Sequence, residues 1–565
     1  MLTTDNTILL VILSCIVVIL WFAVQPVERV WSHTDVALTY VIPILTLIGI
    51  ALNIIKNKRP TLSWLDVVLL TWFLYVMGYA YFDASYPCAA FCLRTMQMMM
   101  VYIALRFLMS SVPVKERYVV VLITVFALYE ACLGISQLMS GHSRHHLYLL
   151  TGSFLNPGPY SATLAIGLVM TLMSKRKEKR PILNLLIAVF AIVLAATWSR
   201  AALLATAVCI GIIYWNNWKR CFWWVAAVGI AVSTGLYFIK AGSADGRAII
   251  YLISVLSIMH YPFLGSGVGC FFHQYAEEMA QFSMRYPGFN MQSADVLDYA
   301  FNDLLRIGVE QGLVGIGFAL LVICLAFQSL RNKGRILRMG FLALLIFSLF
   351  SYPFELLPYQ LIMVLILTYA GTNNSICIHK ELKPQLIHRF FIPTCSLLLM
   401  ILVAIFVFHQ IDRRTKAEAD YKMMAGITDN AFIDDYYELL PLITENPRFF
   451  FDFGKMLARQ GRYNDSNAIL KRGALVSNDP MFYVIQGNNY RDMDAYKEAE
   501  LAYLTAFHVL PNRLYPLYQL MCLYELIGDD GKTKDMAQRI KNFNVKIESP
   551  ATQEMKTKAQ KILNL

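Results

Sequence analysis

Two arginines stand where an apolar chain has least use for them. Arg200 lies in Ala196-Thr197-Trp198-Ser199-Arg200-Ala201, a short break between two apolar runs. Arg247 lies in Ser243-Ala244-Asp245-Gly246-Arg247, at the head of a long and more polar interval. A guanidinium stays protonated and its fork grips phosphate oxygens two at a time, so such a pair suits a multiply charged leaving group. The plain alternative is an arginine reaching out to a membrane surface. A third polar group follows: Asp298, then Phe301-Asn302-Asp303-Leu304-Leu305-Arg306, continuing to Glu310 and Gln311. Polar side chains at membrane depth are costly and mark function by default.

Other positions carry weaker signals. Pro262-Phe263-Leu264-Gly265-Ser266-Gly267-Val268-Gly269 spaces glycines by two, but no strand precedes it and no Lys-Ser/Thr follows. That excludes a nucleotide loop and predicts a tight backbone turn beside a lipid or sugar. Arg94 and Glu130, the latter near Gln137, fall inside apolar runs. Either they pair across helices, or Arg94 is a third phosphate contact. Glu355 is expected to face outward, and the Met96–Met100 stripe to be lipid-facing packing. His273, His142, His145 and His146 share the outward face, with a solvated or capping role as the default.

These residues must be held by membrane helices. The 565 residues are 57% hydrophobic, and the apolar runs are too long and too uniform for barrel strands, so the spans are helical. Thirteen are expected, at 7–24, 36–55, 64–82, 88–109, 118–139, 158–173, 182–198, 201–215, 222–239, 304–330, 337–351, 353–371 and 390–409. The Ile12-Leu13-Ser14-Cys15 run belongs to the first span and is not a lipoprotein box. Basic residues crowd alternate loops: Lys56, Lys58 and Arg59; Lys115 and Arg117; Lys175 to Arg180; Lys219 and Arg220; Arg331 to Arg338; Lys380 to Arg389. Positive loops face the cytoplasm. The N-terminus is then inside, while the loop 140–157, the Ser199-Arg200 turn, the loop 240–303 and the tail after residue 410 are outside. The net charge of +11 resides largely in those loops, which argues against nucleic-acid binding. Eleven cysteines lack CxxC or metal spacing, and neither metal nor cofactor is expected.

Residues 411–565 are a different material, charged and helical in pattern. Tyr496, Ala499, Tyr503, Ala506 and Pro511 are spaced like the second helix of a tetratricopeptide repeat. Gly461, Tyr463 and Pro480 lie about one repeat before; Gly528 and Ala537 lie about one repeat after. Two clear units and a degenerate one make a TPR-like α-solenoid, whose groove suits a protein partner. The bland alternative is an ordinary helical bundle. The expected fold class is therefore all-α: a polytopic bundle of about 12–13 spans over 1–410, with a solenoid over 411–565.

The order Ser199-Arg200-Ala201, Gly246-Arg247, the Pro262–Gly269 run and Asn302-Asp303 with Gly312 and Gly315 resembles the O-antigen ligase and Wzy polymerase superfamily. Gly152-Ser153-Phe154-Leu155-Asn156-Pro157 adds to the resemblance, which covers most of 90–370. It implies a GT-C-like membrane fold and a metal-independent glycosyltransferase. The donor would be an undecaprenyl-pyrophosphate-linked glycan and the acceptor a lipid A-core, glycan or protein hydroxyl, with transfer at the periplasmic face of a bacterial inner membrane. Arg200 and Arg247 would hold the pyrophosphate. The family's His-Asn is here Phe301-Asn302, and phenylalanine cannot accept a proton, so the chain needs another base or none. Asp298 and Asp303 are the expected catalytic carboxylates, with His273, His142, His145 and His146 as the alternatives. The change could instead mark a branch with another acceptor, a polymerase or an inactive copy. Arg94, Asn156, Asn302, Arg306, His273 and Glu355 are the expected substrate-binding residues. A Wzy-type polymerase is the close alternative. A polysaccharide transporter or flippase is the alternative of another class, although the hydropathy lacks two-fold symmetry.

Overall fold

The computed structural model describes residues 33–55, 62–83, 85–112, 114–143, 148–178, 180–215, 241–373, 375–376, 386–426 and 432–564. The expected spans 7–24 and 222–239, with His145 and His146, lie outside them. The described chain is all-α apart from a two-residue ladder that pairs Leu62–Ser63 with Ser375–Ile376.

The membrane part runs through α1 (His33–Ile55), α2 (Trp64–Phe82), α3 (Ala89–Ser111), α4 (Glu116–Ser140), α5 (Pro157–Lys177), α6 (Pro181–Ala196), α7 (Arg200–Ile213) and α8 (Ala241–His260). It continues through α9 (Phe271–Arg285), α10 (Asp303–Lys333), α11 (Arg335–Ser348) and α12 (Leu357–Asn373). Six stretches are long and apolar enough to cross a bilayer: Asp35–Asn53, Trp64–Phe82, Ala89–Ser110, Glu116–Ser140, Gly242–His260 and Asp303–Lys333. Helix α8 falls within the interval expected as an outward loop. The small and charged residues at its head mask an apolar remainder, Ile249 to Met259.

Helix α5 is the centre of the bundle, buried from Pro159 to Thr171 and packed on α4, α6, α7 and α11. Its small residues let the neighbours come close. At Gly167 a Cβ would stand 2.6 Å from the Ala127 Cβ.

Helix α10 is broken. Gly312, at φ 62° and ψ −158°, leaves the helical region inside it. The Pro262–Gly269 turn docks against the break. Leu313 N donates to Pro262 O (2.8 Å), Val314 N to Phe263 O (3.2 Å) and Ser266 N to Val309 O (2.8 Å). The glycine run is thus a tight turn, as its spacing predicts, but its partner is the interrupted helix. A Cβ on Gly312 would lie 2.3 Å from the Phe263 carbonyl oxygen. Gly312→Ala is therefore expected to lower thermal stability in detergent. Backbone strain alone contributes about 1–3 kcal/mol, and the clash adds to it. Gly317→Ala, whose Cβ meets open space, is the control and should be neutral.

Helix α13 (Leu386–Met424) is one continuous element of 39 residues that packs on α1 and α3 and carries the chain into the tail. There follow α14 (Ile433–Leu439), α15 (Pro447–Arg459), α16 (Tyr463–Ala474), α17 (Met481–Asp492), α18 (Tyr496–Val509), α19 (Tyr515–Ile527), α20 (Asp530–Lys541) and α21 (Pro550–Leu563). From α15 onward they form stacked hairpins whose first helices start at Pro447, Met481 and Tyr515, a step of about 34 residues. Ala499, Tyr503 and Ala506 are fully buried in α18, where the small side chains admit the neighbouring helices.

Candidate functional site

Arg200 is the first residue of α7. The turn before it places Trp198 at φ 51°, a left-handed conformation that a tryptophan adopts only under constraint. Arg247 is half-buried near the start of α8, and Arg200 is among the charges that act on it. The two guanidiniums therefore share a neighbourhood, and their mutual repulsion is relieved by an anion placed between them. The Arg247 guanidinium carbon stands 5.5 Å from the centroid of the Phe301 ring. Phe301 is itself left-handed, at φ 54°. Strained residues thus carry both arms of the candidate site.

An aromatic layer supports Phe301. Tyr352 meets it edge-on at 5.4 Å and stacks on Tyr299 at 3.5 Å. The Tyr251 hydroxyl, one turn beyond Arg247, reaches the carbonyl oxygens of Phe301 (3.2 Å) and Leu349 (2.7 Å). Burial pushes the Tyr352 phenol well above its ordinary value, so it remains a hydrogen-bond donor and is no base. Asp298 is exposed and acts electrostatically on Tyr352. Asn302 caps α10, its Oδ1 accepting from Leu304 N and Leu305 N at 3.1 Å each. The capping oxygen therefore fixes the helix start.

A second centre lies beside the first. Arg306 is held between Glu310 (3.0 Å) and Glu355 (2.8 Å). Asp303 is buried and accepts from Phe354 N at 3.3 Å. These groups close one end of a cavity of about 300 Å³ between α2, α3, α10 and α12. Its walls include Leu69, Phe73, Val76 and Met98, and Trp72 donates its ring N–H to Gln311 at 2.9 Å. Arg306, expected at the substrate with Glu355, is thus already taken up by two carboxylates. Such an end suits hydroxyl groups better than phosphate.

Four expectations are corrected or relocated. Arg94 does not pair with Glu130. It binds Asp35 of α1, and Gln97 at 2.9 Å, because α3 packs on α1 while α4 faces α5. Glu130 instead takes Ser153 N (3.0 Å) and Ser153 Oγ (2.6 Å), and Gln137 takes Thr151 N and Gly152 N. Together they pin the Gly152–Pro157 loop, at whose end Asn156 is exposed and caps α5 through Gly158 N (2.9 Å). His273 sits between Glu277 (3.2 Å), the Tyr86 ring (5.7 Å) and the tail carbonyl of Ala474 (3.1 Å). The methionine stripe is not lipid-facing packing throughout: Met98 and Met99 line the cavity and Met100 is core. Among the described residues, no three His, Cys, Asp or Glu side chains gather as a metal group.

Residues 183–320 match the family model described as O-antigen ligase. Over this stretch the chain is similar to the O-antigen ligase family. The stretch contains Arg200, Arg247, Asp298, Asn302, Asp303 and Arg306. The match supports glycan transfer of the ligase or polymerase type, and the long apolar helices support a multi-pass membrane protein. No curated protein matches the chain. Tyr251, Tyr299 and Tyr352 were absent from the sequence expectations. Tyr299 and Phe301, two apart in sequence and both in contact with Tyr352, were the signal available for that aromatic layer.

Proposed function

We propose that the chain moves a glycan from an undecaprenyl-pyrophosphate carrier onto an acceptor hydroxyl at the periplasmic face of a bacterial inner membrane. What supports this is Arg247 seated on Phe301 with Arg200 beside it, inside the matched ligase region. The acceptor oxygen attacks the anomeric carbon, and the bond from that carbon to the phosphate oxygen breaks. The electron pair leaves on the pyrophosphate, whose charge the two guanidiniums hold. The hydroxyl proton passes to a carboxylate. Asp298 suits that role better than Asp303, because it is exposed whereas Asp303 is buried and already bonded to Phe354 N. The cavity beneath, apolar along its walls and polar at one end, is of a kind that takes a prenyl chain with its sugar toward Arg306 and Glu355. The basic loops argue for a cytoplasmic N-terminus and, with α8 kept on the outer side without crossing, a periplasmic tail. The hairpins that step by about 34 residues support a tetratricopeptide-type tail.

The deciding experiment offers a defined undecaprenyl-pyrophosphate glycan and candidate acceptors to the purified protein. One addition per acceptor is the result expected of a ligase. A ladder on the carrier makes it a polymerase. Carrier movement across vesicles without covalent product makes it a transporter and sinks the proposal.

Phe301 gives a finer prediction. A cation over an aromatic face contributes about 0.5–2 kcal/mol, so Phe301→Leu should lower the transfer rate roughly tenfold, and Phe301→Trp should retain most of it. Equal rates for wild type and Phe301→Leu would show that the ring does not seat Arg247.

A further inference from the structure

The repeat tail does not stand apart from the membrane domain. Its two most buried asparagines outside a helix, Asn478 and Asn512, precede α17 and α19 at matching places in successive hairpins. Asn512 Nδ2 donates to the carbonyl oxygens of Met291 (3.3 Å), Gln292 (3.0 Å) and Ala294 (2.7 Å). Asn478 accepts from Leu297 N (2.8 Å) and donates to Asp295 O (3.3 Å). The Asp295 carboxylate is held by Arg513 (3.1 Å) and Lys546 (2.9 Å). Gln292 donates to Asn544 O at 2.7 Å. Met291, Ala294 and Leu297 are buried in one apolar cluster with Leu510 of the tail. Helix α9 is gripped as well, through Ser283 with His508 (2.9 Å) and His273 with Ala474.

The gripped segment runs straight into the site. Leu297 is followed by Asp298, then by Tyr299 stacked on Tyr352, then by Phe301 beneath Arg247. Segment 291–302 contains no regular helix or strand, so it has no hydrogen-bond ladder of its own to fix it. Side-chain amides supply that ladder from the tail. Asn478 uses both ends of its amide, donor and acceptor, as a peptide unit would, whereas Asn512 gives only its N–H groups.

We propose that the tail is a clamp on the active-site segment. Asn478, Asn512, Arg513 and Lys546 are positioning residues that set where Phe301, and through it Arg247, stands. The inference rests on the glycan-transfer reading of that site, and it assigns the tail an internal client of defined chemistry: the irregular backbone of 291–297 with one acidic side chain.

The test uses the full chain in detergent. Asp295→Arg places a cation against Arg513 and Lys546. It is expected to lower kcat for transfer at least tenfold while the donor KM moves less than threefold. Asp295→Arg combined with Arg513→Glu and Lys546→Glu should restore kcat to within threefold, which a general loss of folding would not do. Asn512→Ala should speed amide hydrogen exchange across 291–302 while leaving α5 and α10 protected. Unchanged kcat in Asp295→Arg, failure of the charge swap to rescue, or unchanged exchange in Asn512→Ala would each overturn the clamp. If the wild type transfers no glycan, the functional reading fails by itself, and the exchange measurement still decides whether the tail holds the segment.

Discussion

Arg247→Ala is expected to lower glycan transfer by about 10²–10³, the usual cost of losing one preorganised donor to a charge that develops in the transition state. The loss should fall on kcat, because the pyrophosphate gains negative charge as the sugar–phosphate bond breaks. Arg247→Lys should recover little. An ammonium has no flat face for the Phe301 ring that lies 5.5 Å from the guanidinium carbon, and it cannot make a two-pronged contact with phosphate. Arg200→Ala should fall in the same range, and the double variant should lose less than the product of the two, since the pair holds one ligand. Steady-state transfer from a carrier-linked glycan measures all four. A change in donor KM alone, with kcat intact, would mean that the arginines bind the carrier without assisting the chemistry.

Arg306→Met is expected to be the most destabilising single change near the site. Arg306 lies between Glu310 and Glu355, at 3.0 and 2.8 Å, with Glu310 only 2% exposed. Removing one partner of a buried ion pair costs about 3–5 kcal/mol, because the remaining charge is left uncompensated. Here two carboxylates would be left. Thermal unfolding in detergent should show a large drop. Adding Glu310→Gln and Glu355→Gln to the same chain should recover much of it. A single variant as stable as the wild type would show that water reaches these carboxylates and shields them.

The two arginines proposed to hold the pyrophosphate stand out in the sequence because a guanidinium beside apolar runs has few structural excuses. The role of Phe301 does not. Judged by what it lacks, it is a missing base; its face, which seats Arg247, becomes visible only once the chain turns left-handed at that residue. Arg94 was legible as a buried charge, but its partner Asp35 lies at the edge of a different span, and sequence distance says nothing about which helices adjoin. The repeats were partly legible through Gly461 and Gly528, both at positive φ. The turn between them is made by Asp494 at φ 59°, which hides the period from a search for glycine. Asn478 and Asn512 were overlooked because an asparagine before a helix reads as a cap, whereas these two spend their amides on another segment.

The helix that joins bundle to tail has a mechanical corollary. At 39 residues it is roughly 58 Å long, about twice the hydrocarbon thickness of a bilayer. Set across a bilayer, a helix of that length would reach well past the lipid and link the angle of the tail to its own rotation. Its angular phase, at about 100° per residue, dictates which side of the solenoid looks back toward the bundle. Splicing in one residue beyond the lipid swings the whole tail a quarter-turn or more; only additions near a full helical period keep the same face inward. Chain length in that stretch is thereby tied to which face of the solenoid meets 291–297.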